Sequence, residues 1–248
     1  MGKAWEHHEE AELDATPEQV WEAIATGPGI DSWFMGRSSV EPGLGGTIRT
    51  DLGDFAMEST VTAWEPGSRL AYRSNDQGGG RFIAYEYLIE AREHGSTVVR
   101  VVAHGFLPGD DWETEYDAMV KGGQMYFRTL VAYVTHFAGR AGTSVGVVGP
   151  SIADWPTARA TLWRAMGDSD DPAVGDRVRF TPSGLAPIVG VVDFVNPDAI
   201  GIRTDDALYR FIRGFFDPIF AQHHIFRSDV DPVQTGQAWR DWLTRVLG

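Results

Sequence analysis

The chain has no cysteine. That excludes disulfides, thiolate metal sites and a cysteine nucleophile, and it fits a reducing cytosol. Lysine is almost absent too, Lys3 and Lys121 being the only two. Binding a phosphate backbone needs clustered Lys and Arg, whereas 35 acidic residues against 21 basic ones give this chain a formal charge of −14; nucleic acid is not expected as a partner. The acid is spread along the sequence rather than gathered in a tail, which argues for solubility. No apolar run approaches the roughly 20 residues that span a bilayer. The N-terminus, MGKAWEHHEE, lacks the apolar stretch of a secretory signal, and Glu6 stands where a myristoylation site requires Ser or Thr. A soluble, cytoplasmic protein without a membrane span is expected.

Several chemical signatures are also missing. Gly43-Leu44-Gly45-Gly46 and Gly78–Gly80 are not followed by the Lys-Ser/Thr of a phosphate loop, nor do they form G-x-G-x-x-G between strand and helix; they read as hairpin turns. There is no G-x-S-x-G elbow and no spaced carboxylate pair that commits to hydrolysis. The dyads His7-His8 and His223-His224 cannot readily chelate one ion, because adjacent residues on a strand point to opposite faces. Neither a metal nor a cofactor is expected.

What is present is enough apolar material for a sizeable core: 43% hydrophobic residues and nine tryptophans in 248 residues, which suits one large domain or two small ones. Asp14–Met35 is the best punctuated stretch. Thr16 caps a helix, Pro17 occupies its first position and Gln19 completes a capping box. Val20 and Ile24 fall on one face, Gly27-Pro28-Gly29 ends the helix, and Ile30, Trp33 and Phe34 resume an apolar face. Strand-like segments follow at Thr47–Thr50, Met57–Trp64, Arg69–Ser74, Phe82–Ala91 and Thr97–His104. They are broken at Glu65-Pro66-Gly67, Asn75-Asp76-Gln77 and Glu93-His94-Gly95. Such short spacing favours antiparallel hairpins. A long helical pattern over Glu113–Ala138 closes the segment, giving an α+β domain with the helix across a curved sheet.

Ala138–Asp154 is rich in glycine and small residues and is the best linker candidate. The expected division is 1–140, a linker at 141–154, and 155–248. Beyond the linker the chain echoes itself. Glu41–Gly45 is matched by Asp171–Gly175 (171 − 41 = 130), Leu70–Asp76 by Ile200–Asp206 (200 − 70 = 130), and Arg81-Phe82 by Arg210-Phe211 (210 − 81 = 129). Val20–Ile24 resembles Leu162–Met166, and Gly123-Gln124 with Leu130 resembles Gly236-Gln237 with Leu243. Nothing echoes Ile30–Arg37. A tandem duplication with an abridged second copy is expected, and the unrepeated segment is the candidate gate.

The residues Pro17–Trp21, Trp33-Phe34, Pro42-x-x-Gly45-Gly46, Trp64-Glu65-Pro66 through Tyr72, His104–Phe106 and Gly123-x-x-Tyr126-Phe127-x-x-Leu130 resemble, in order and spacing, the activator of ninety-kilodalton heat-shock-protein ATPase-like family. That family lies within the START-like, polyketide-cyclase-like (SRPBCC) superfamily. The resemblance covers about the first 140 residues and departs at Pro66-Gly67, where Pro-Pro is common, and at Gly122-Gly123, where Gly-Trp is frequent. It implies a helix-grip fold, with a curved antiparallel sheet around a long C-terminal helix, a hydrophobic cavity between them, and an abridged second module of the same type.

Alternation selects the lining. Tyr85 and Tyr87 oppose Glu86 and Glu90, Tyr72 opposes Arg73, and Met57 opposes Glu58; Trp33 and Phe34 are placed at the mouth, and Val120 and Phe127 on the helix above the sheet. His104 shares parity with Arg100 and should face outward, so no catalytic residue is nominated. These side chains either line a pocket or fill a core. The leading expectation is a binder of a small hydrophobic or amphipathic molecule, without catalysis. The alternatives are a polyketide-type cyclase or aromatase, and a co-chaperone or regulatory protein-interaction module.

Overall fold

The computed structural model describes residues 2–53, 55–75, 78–109, 112–167, 172–214 and 218–248. The Asp76-Gln77 part of one expected turn and Asp171 of the first echo lie outside them, as do the side-chain surroundings of His94. The chain divides into two units, Met1–Ala141 and Gly142–Gly248.

The first unit runs β1 (Lys3–Leu13), α1 (Pro17–Ala25), α2 (Gly27–Asp31), β2 (Arg37–Val40), β3 (Thr47–Asp51), β4 (Ala56–Glu65), β5 (Arg69–Ser74), β6 (Phe82–Ala91), β7 (Thr97–Leu107) and α3 (Trp112–Phe137). Its seven strands form an antiparallel sheet in the order β1-β7-β6-β5-β4-β3-β2. The meander arises because each connection is too short for a crossover. The outer strand β1 pairs with β7 along its whole length, from Lys3 opposite Leu107 to Leu13 opposite Thr97.

The capping box at the start of α1 is complete: the Gln19 amide donates to Thr16 Oγ1, and the Thr16 amide to Gln19 Oε1. The helix ends one residue earlier than the glycines suggest. Thr26 caps the end of α1 and the start of α2, and Gly27-Pro28-Gly29 is the first turn of α2. These glycines serve close approach rather than termination, since a Cβ on Gly27 would lie 2.4 Å from Ser38 O and one on Gly29 2.0 Å from Glu22 O. A bulge in β4 between Val61 and Ala63 reverses the facing of the strand. It brings Trp64 edge-on to Trp21 of α1, with ring centroids 5.1 Å apart.

The second unit runs β8 (Thr143–Ser151), α4 (Trp155–Met166), β9 (Arg177–Phe180), β10 (Ile188–Asn196), β11 (Ala199–Arg203), β12 (Ala207–Arg213), β13 (Pro218–Ile225) and α5 (Pro232–Leu247). Its sheet has the order β8-β13-β12-β11-β10-β9, the order of the first sheet with one strand fewer. Both units are α+β, with an antiparallel sheet and a closing helix, as a helix-grip fold requires.

The stretch 141–154 corrects the linker expectation, because it contains β8, the edge strand of the second sheet. Val145 and Val147 alternate inward and are buried. The glycines that suggest flexibility are packing positions instead; a Cβ on Gly149 would meet Ile219 Cγ2 at 2.6 Å.

The echoes of Gly45 and of Leu70–Ser74 occupy corresponding elements, whereas Arg81-Phe82 opens β6 and Arg210-Phe211 lies in the middle of β12, so that echo is out of register. In the first unit Gly45 N donates to Val61 O and Val61 N to Gly46 O; in the second, Gly175 N donates to Val192 O and Val192 N to Asp176 O. Gly45 and Gly175 both have positive φ, +82° and +98°, which side-chain-bearing residues rarely adopt. Each valine immediately precedes a bulge, between Val61 and Ala63 in β4 and between Val192 and Phe194 in β10.

Candidate functional site

The face of the first sheet that carries α1 and α3 is built by alternation. Across it, strand to strand, runs the row His7–Ala103–Tyr85–Tyr72–Val61, fixed by the pairings of β1, β7, β6, β5 and β4. Beside it runs Glu9–Val101–Tyr87–Leu70. Tyr72 and Tyr85 have ring centroids 5.5 Å apart, and the hydroxyls of Tyr72 and Tyr87 lie 3.5 Å apart, the outer limit of a hydrogen bond. Tyr126 joins them from α3 and packs at 4.7 Å against Phe34, which in turn contacts Trp33 at 5.4 Å.

The electrostatics of this cluster are those of a desolvated phenol set. Burial, which disfavours the phenolate, raises the pKa of Tyr72 well above its ordinary value, and the neighbouring Tyr87 adds to the shift. Burial likewise raises Tyr85, Tyr87 and Tyr126, with Tyr85 adding to the last two; the Tyr72 hydrogen bond partly offsets the shift on Tyr87. All four stay protonated at neutral pH and can donate hydrogen bonds. Nevertheless Tyr72, Tyr85 and Tyr126 retain accessible surface, as do Ala103 on β7, next to the edge strand, and Val120 on the helix. The cluster thus combines desolvated hydroxyls with side chains that are not fully covered.

The helix above tells the same story. The buried residues of α3 all lie from Met125 onward, and among the described residues its first half, Trp112–Gln124, has none. That half is held at its end by Tyr116 against Trp5, at 5.8 Å, and by an ion pair from Arg81 to Glu115. Gly123 sits between: a Cβ there would meet nothing within 4 Å.

The second unit provides an internal control. The corresponding row is Val145–His223–Tyr209–Ile202–Val192, and every member is buried. Three residues after the glycine of the Gly-Gln pair in each closing helix stand Tyr126 in α3 and Trp239 in α5. Trp239 lies 4.4 Å from His223 and 5.6 Å from both Tyr209 and Phe211, so it covers the middle of the row. Gly236, counterpart of Gly123, is packed as well, its Cβ position lying 3.7 Å from Val145 Cγ1 and 3.8 Å from Val147 Cγ2. The second unit does have a cleft of about 290 Å³, lined in part by Thr204, Asp206, Tyr209, Arg227 and Trp239. Thr204 Oγ1 donates to Asp206 Oδ1 at 2.8 Å and Arg227 Nη1 to Asp206 Oδ2 at 3.2 Å, so much of its polar rim is already self-paired.

Of the residues expected at the site, Phe34, Met57, Tyr72, Tyr85 and Val120 are half-buried, whereas Tyr87 and Phe127 are 5% exposed. Trp33 corrects the expectation of a mouth residue. It is 4% exposed and its indole N–H donates to Ala23 O at 2.9 Å, so it locks α2 onto α1 and is scaffold. Sequence reasoning missed Tyr126, whose signal was its place one turn after the glycine pair of α3; the parity that turns Arg100 outward does place Ala103 on the inner face, opposite Tyr85. Sequence reasoning also missed His7 and Glu9, which β1 turns onto the same face. His104 shares the opposite face with Arg100 and packs edge-on to Phe82 at 6.3 Å. Among the described residues no three potential metal ligands gather, and no helix is long and apolar enough to cross a membrane.

Residues 14–135 match the family described as Activator of Hsp90 ATPase homolog 1-like protein. No curated protein matches the sequence. Among solved structures, the Aha1 dimer from Colwellia psychrerythraea is similar at 17% identity and a TM-score of 0.45, covering 53% of this chain and 96% of its own. The di-domain ARO/CYC BexL from the BE-7585A biosynthetic pathway is similar at 11% identity and a TM-score of 0.49, covering 96% of this chain and 93% of its own. DynU16, of the dynemicin biosynthetic locus, aligns over 98% of this chain and 95% of its own, at 17% identity and a TM-score of 0.44.

Proposed function

From the premise that the first unit belongs to the Activator of Hsp90 ATPase homolog 1-like family, over residues 14–135, we propose that this protein binds a small hydrophobic or amphipathic molecule between α3 and the tyrosine-bearing face of the first sheet. The observation that carries the reading is the unequal filling of two corresponding faces. Val145, His223, Tyr209 and Ile202 are buried under Trp239, while His7, Ala103, Tyr85 and Tyr72 keep accessible surface under α3. A chain that can close such a face with one tryptophan and leaves it open in the other unit keeps space there for an occupant. The protonated tyrosines supply hydrogen-bond donors, and the rings of Phe34, Tyr72 and Tyr126 supply apolar surface.

The binding is non-catalytic in this reading, the protonated tyrosines serving as hydrogen-bond donors rather than as bases. The second unit is read as a duplicated relative in which Trp239 covers the middle of the corresponding row, with the cleft beside Tyr209 and Trp239 left at its end. Native mass spectrometry of the purified protein, with a thermal-shift panel of lipids and polycyclic aromatics, tests the proposal. A bound mass or a ligand-dependent rise in melting temperature supports it. A structure determined by experiment in which side chains fill the face solidly, or a ligand shift that survives filling it with Gly123→Trp, overturns it.

A further inference from the structure

The open face is not uniformly apolar. Where β8 of the second unit turns Val145 and Val147 inward, β1 turns His7 and Glu9 to the corresponding positions, opposite Ala103 and Val101. The two form a pair, His7 Nε2 to Glu9 Oε1 at 2.9 Å, with side chains only 21% and 16% exposed. The second unit shows that two valines serve the fold at these positions, both buried. A histidine–carboxylate pair costs desolvation on a face that can be apolar.

The pair is also set up to use one ring nitrogen on something else. A carboxylate only accepts, so in the neutral imidazole Glu9 holds the proton on Nε2 and leaves Nδ1 as an acceptor. Among the described residues Nδ1 has no partner, and it is not a fully occluded atom. One strand, β7, separates His7 from Tyr85, two inter-strand spacings or about 10 Å, and only the methyl group of Ala103 stands between them. That gap suits the edge of one aromatic ring.

We propose that His7, oriented by Glu9, is the polar contact point of the ligand site: Nδ1 accepts a hydrogen bond from a hydroxyl on an aromatic ring lying over Ala103. The ligand class is a hydroxylated aromatic molecule, apolar in body and carrying a phenolic or enolic O–H. The inference rests on the binding site proposed above and narrows it.

The test compares 2-naphthol with naphthalene, by titration against intrinsic tryptophan fluorescence, in the full chain and in the double variant H7V/E9V, which carries the residues of the second unit. Wild type should bind 2-naphthol roughly tenfold tighter than naphthalene, and the variant should bind the two equally. As a check independent of the variant's folding, the His7 imidazole nitrogen resonances of wild type should move with 2-naphthol and stay with naphthalene. Equal binding of the two probes by wild type, an unchanged ratio in H7V/E9V, or unmoved His7 resonances overturns the role of His7 while leaving the cavity intact. If neither probe binds wild type, the cavity reading falls as well.

Discussion

Gly123 offers the sharpest test of the open face, because the same substitution has opposite consequences in the two closing helices. Gly123 lies inside α3, its φ is not positive, and a Cβ would meet nothing within 4 Å. Gly123→Ala therefore gains helix propensity without a clash, about 0.5–1 kcal/mol. For a unit of this size that is a rise in melting temperature of about 2–4 °C. Gly123→Trp adds a side chain that can bury about 150–250 Å²; over open space it should leave stability within about 1 kcal/mol of wild type and weaken ligand binding at least tenfold. Gly236→Trp in α5 meets Val145 and Val147 already in contact distance, and overpacking there should cost about 1–3 kcal/mol. Differential scanning calorimetry of the three variants, with a ligand titration of each, reads both quantities. The reasoning is refuted if Gly123→Trp destabilises as much as Gly236→Trp, or if it folds and binds ligand as wild type does.

The second unit carries two further tests. His223 is fully buried against Trp239, and burial first, then His224, depresses its pKa to about 3 from 6.5. Because the unfolded chain then binds the extra proton between those values, stability rises with pH across that window. Lowering pH from 6.5 to 4.5 should cost about 2 kcal/mol, the slope approaching about 1.4 kcal/mol per unit once the unfolded imidazole is mostly protonated; denaturant melts of His223→Phe should lack that slope, and an unchanged slope would assign it elsewhere. Arg210, with a side chain 1% exposed, is held by both oxygens of Asp193, at 3.0 and 2.8 Å. Asp193→Ala strands a buried guanidinium and should lose about 3–5 kcal/mol in urea unfolding, whereas the paired change Asp193→Leu with Arg210→Met should recover most of it. Equal loss in both variants would show that the pair itself is not what matters.

The legible parts of the fold were those with local causes. Thr16, Pro17 and Gln19 announced a capped helix because their hydrogen bonds close within four residues. The strands Arg69–Ser74 and Phe82–Ala91 were readable from alternation between turn glycines, and that alternation placed Tyr72 and Tyr85 on the inner face. The errors came where a residue's reason lay far along the chain. Gly27 and Gly29 looked like a helix stop, yet they are small because Ser38 and Glu22 press on them. Gly146 and Gly149 looked like a linker because the strand that packs against them, β13, lies some 70 residues later (219 − 149 = 70).

The sequence alone therefore determined the α+β class, the helix-grip pattern, the family resemblance and the inward parity of the tyrosines, each a matter of spacing along one segment. Whether those tyrosines face space or neighbours was a question of volume, set by what a distant helix brings down onto them. In the tertiary structure Ala103 pairs with Tyr85 on the face that carries α3, and His223 pairs with Tyr209 below Trp239. That structure also turned His7 and Glu9, anonymous in a run of polar residues, onto the sheet face that carries α3, where they pair.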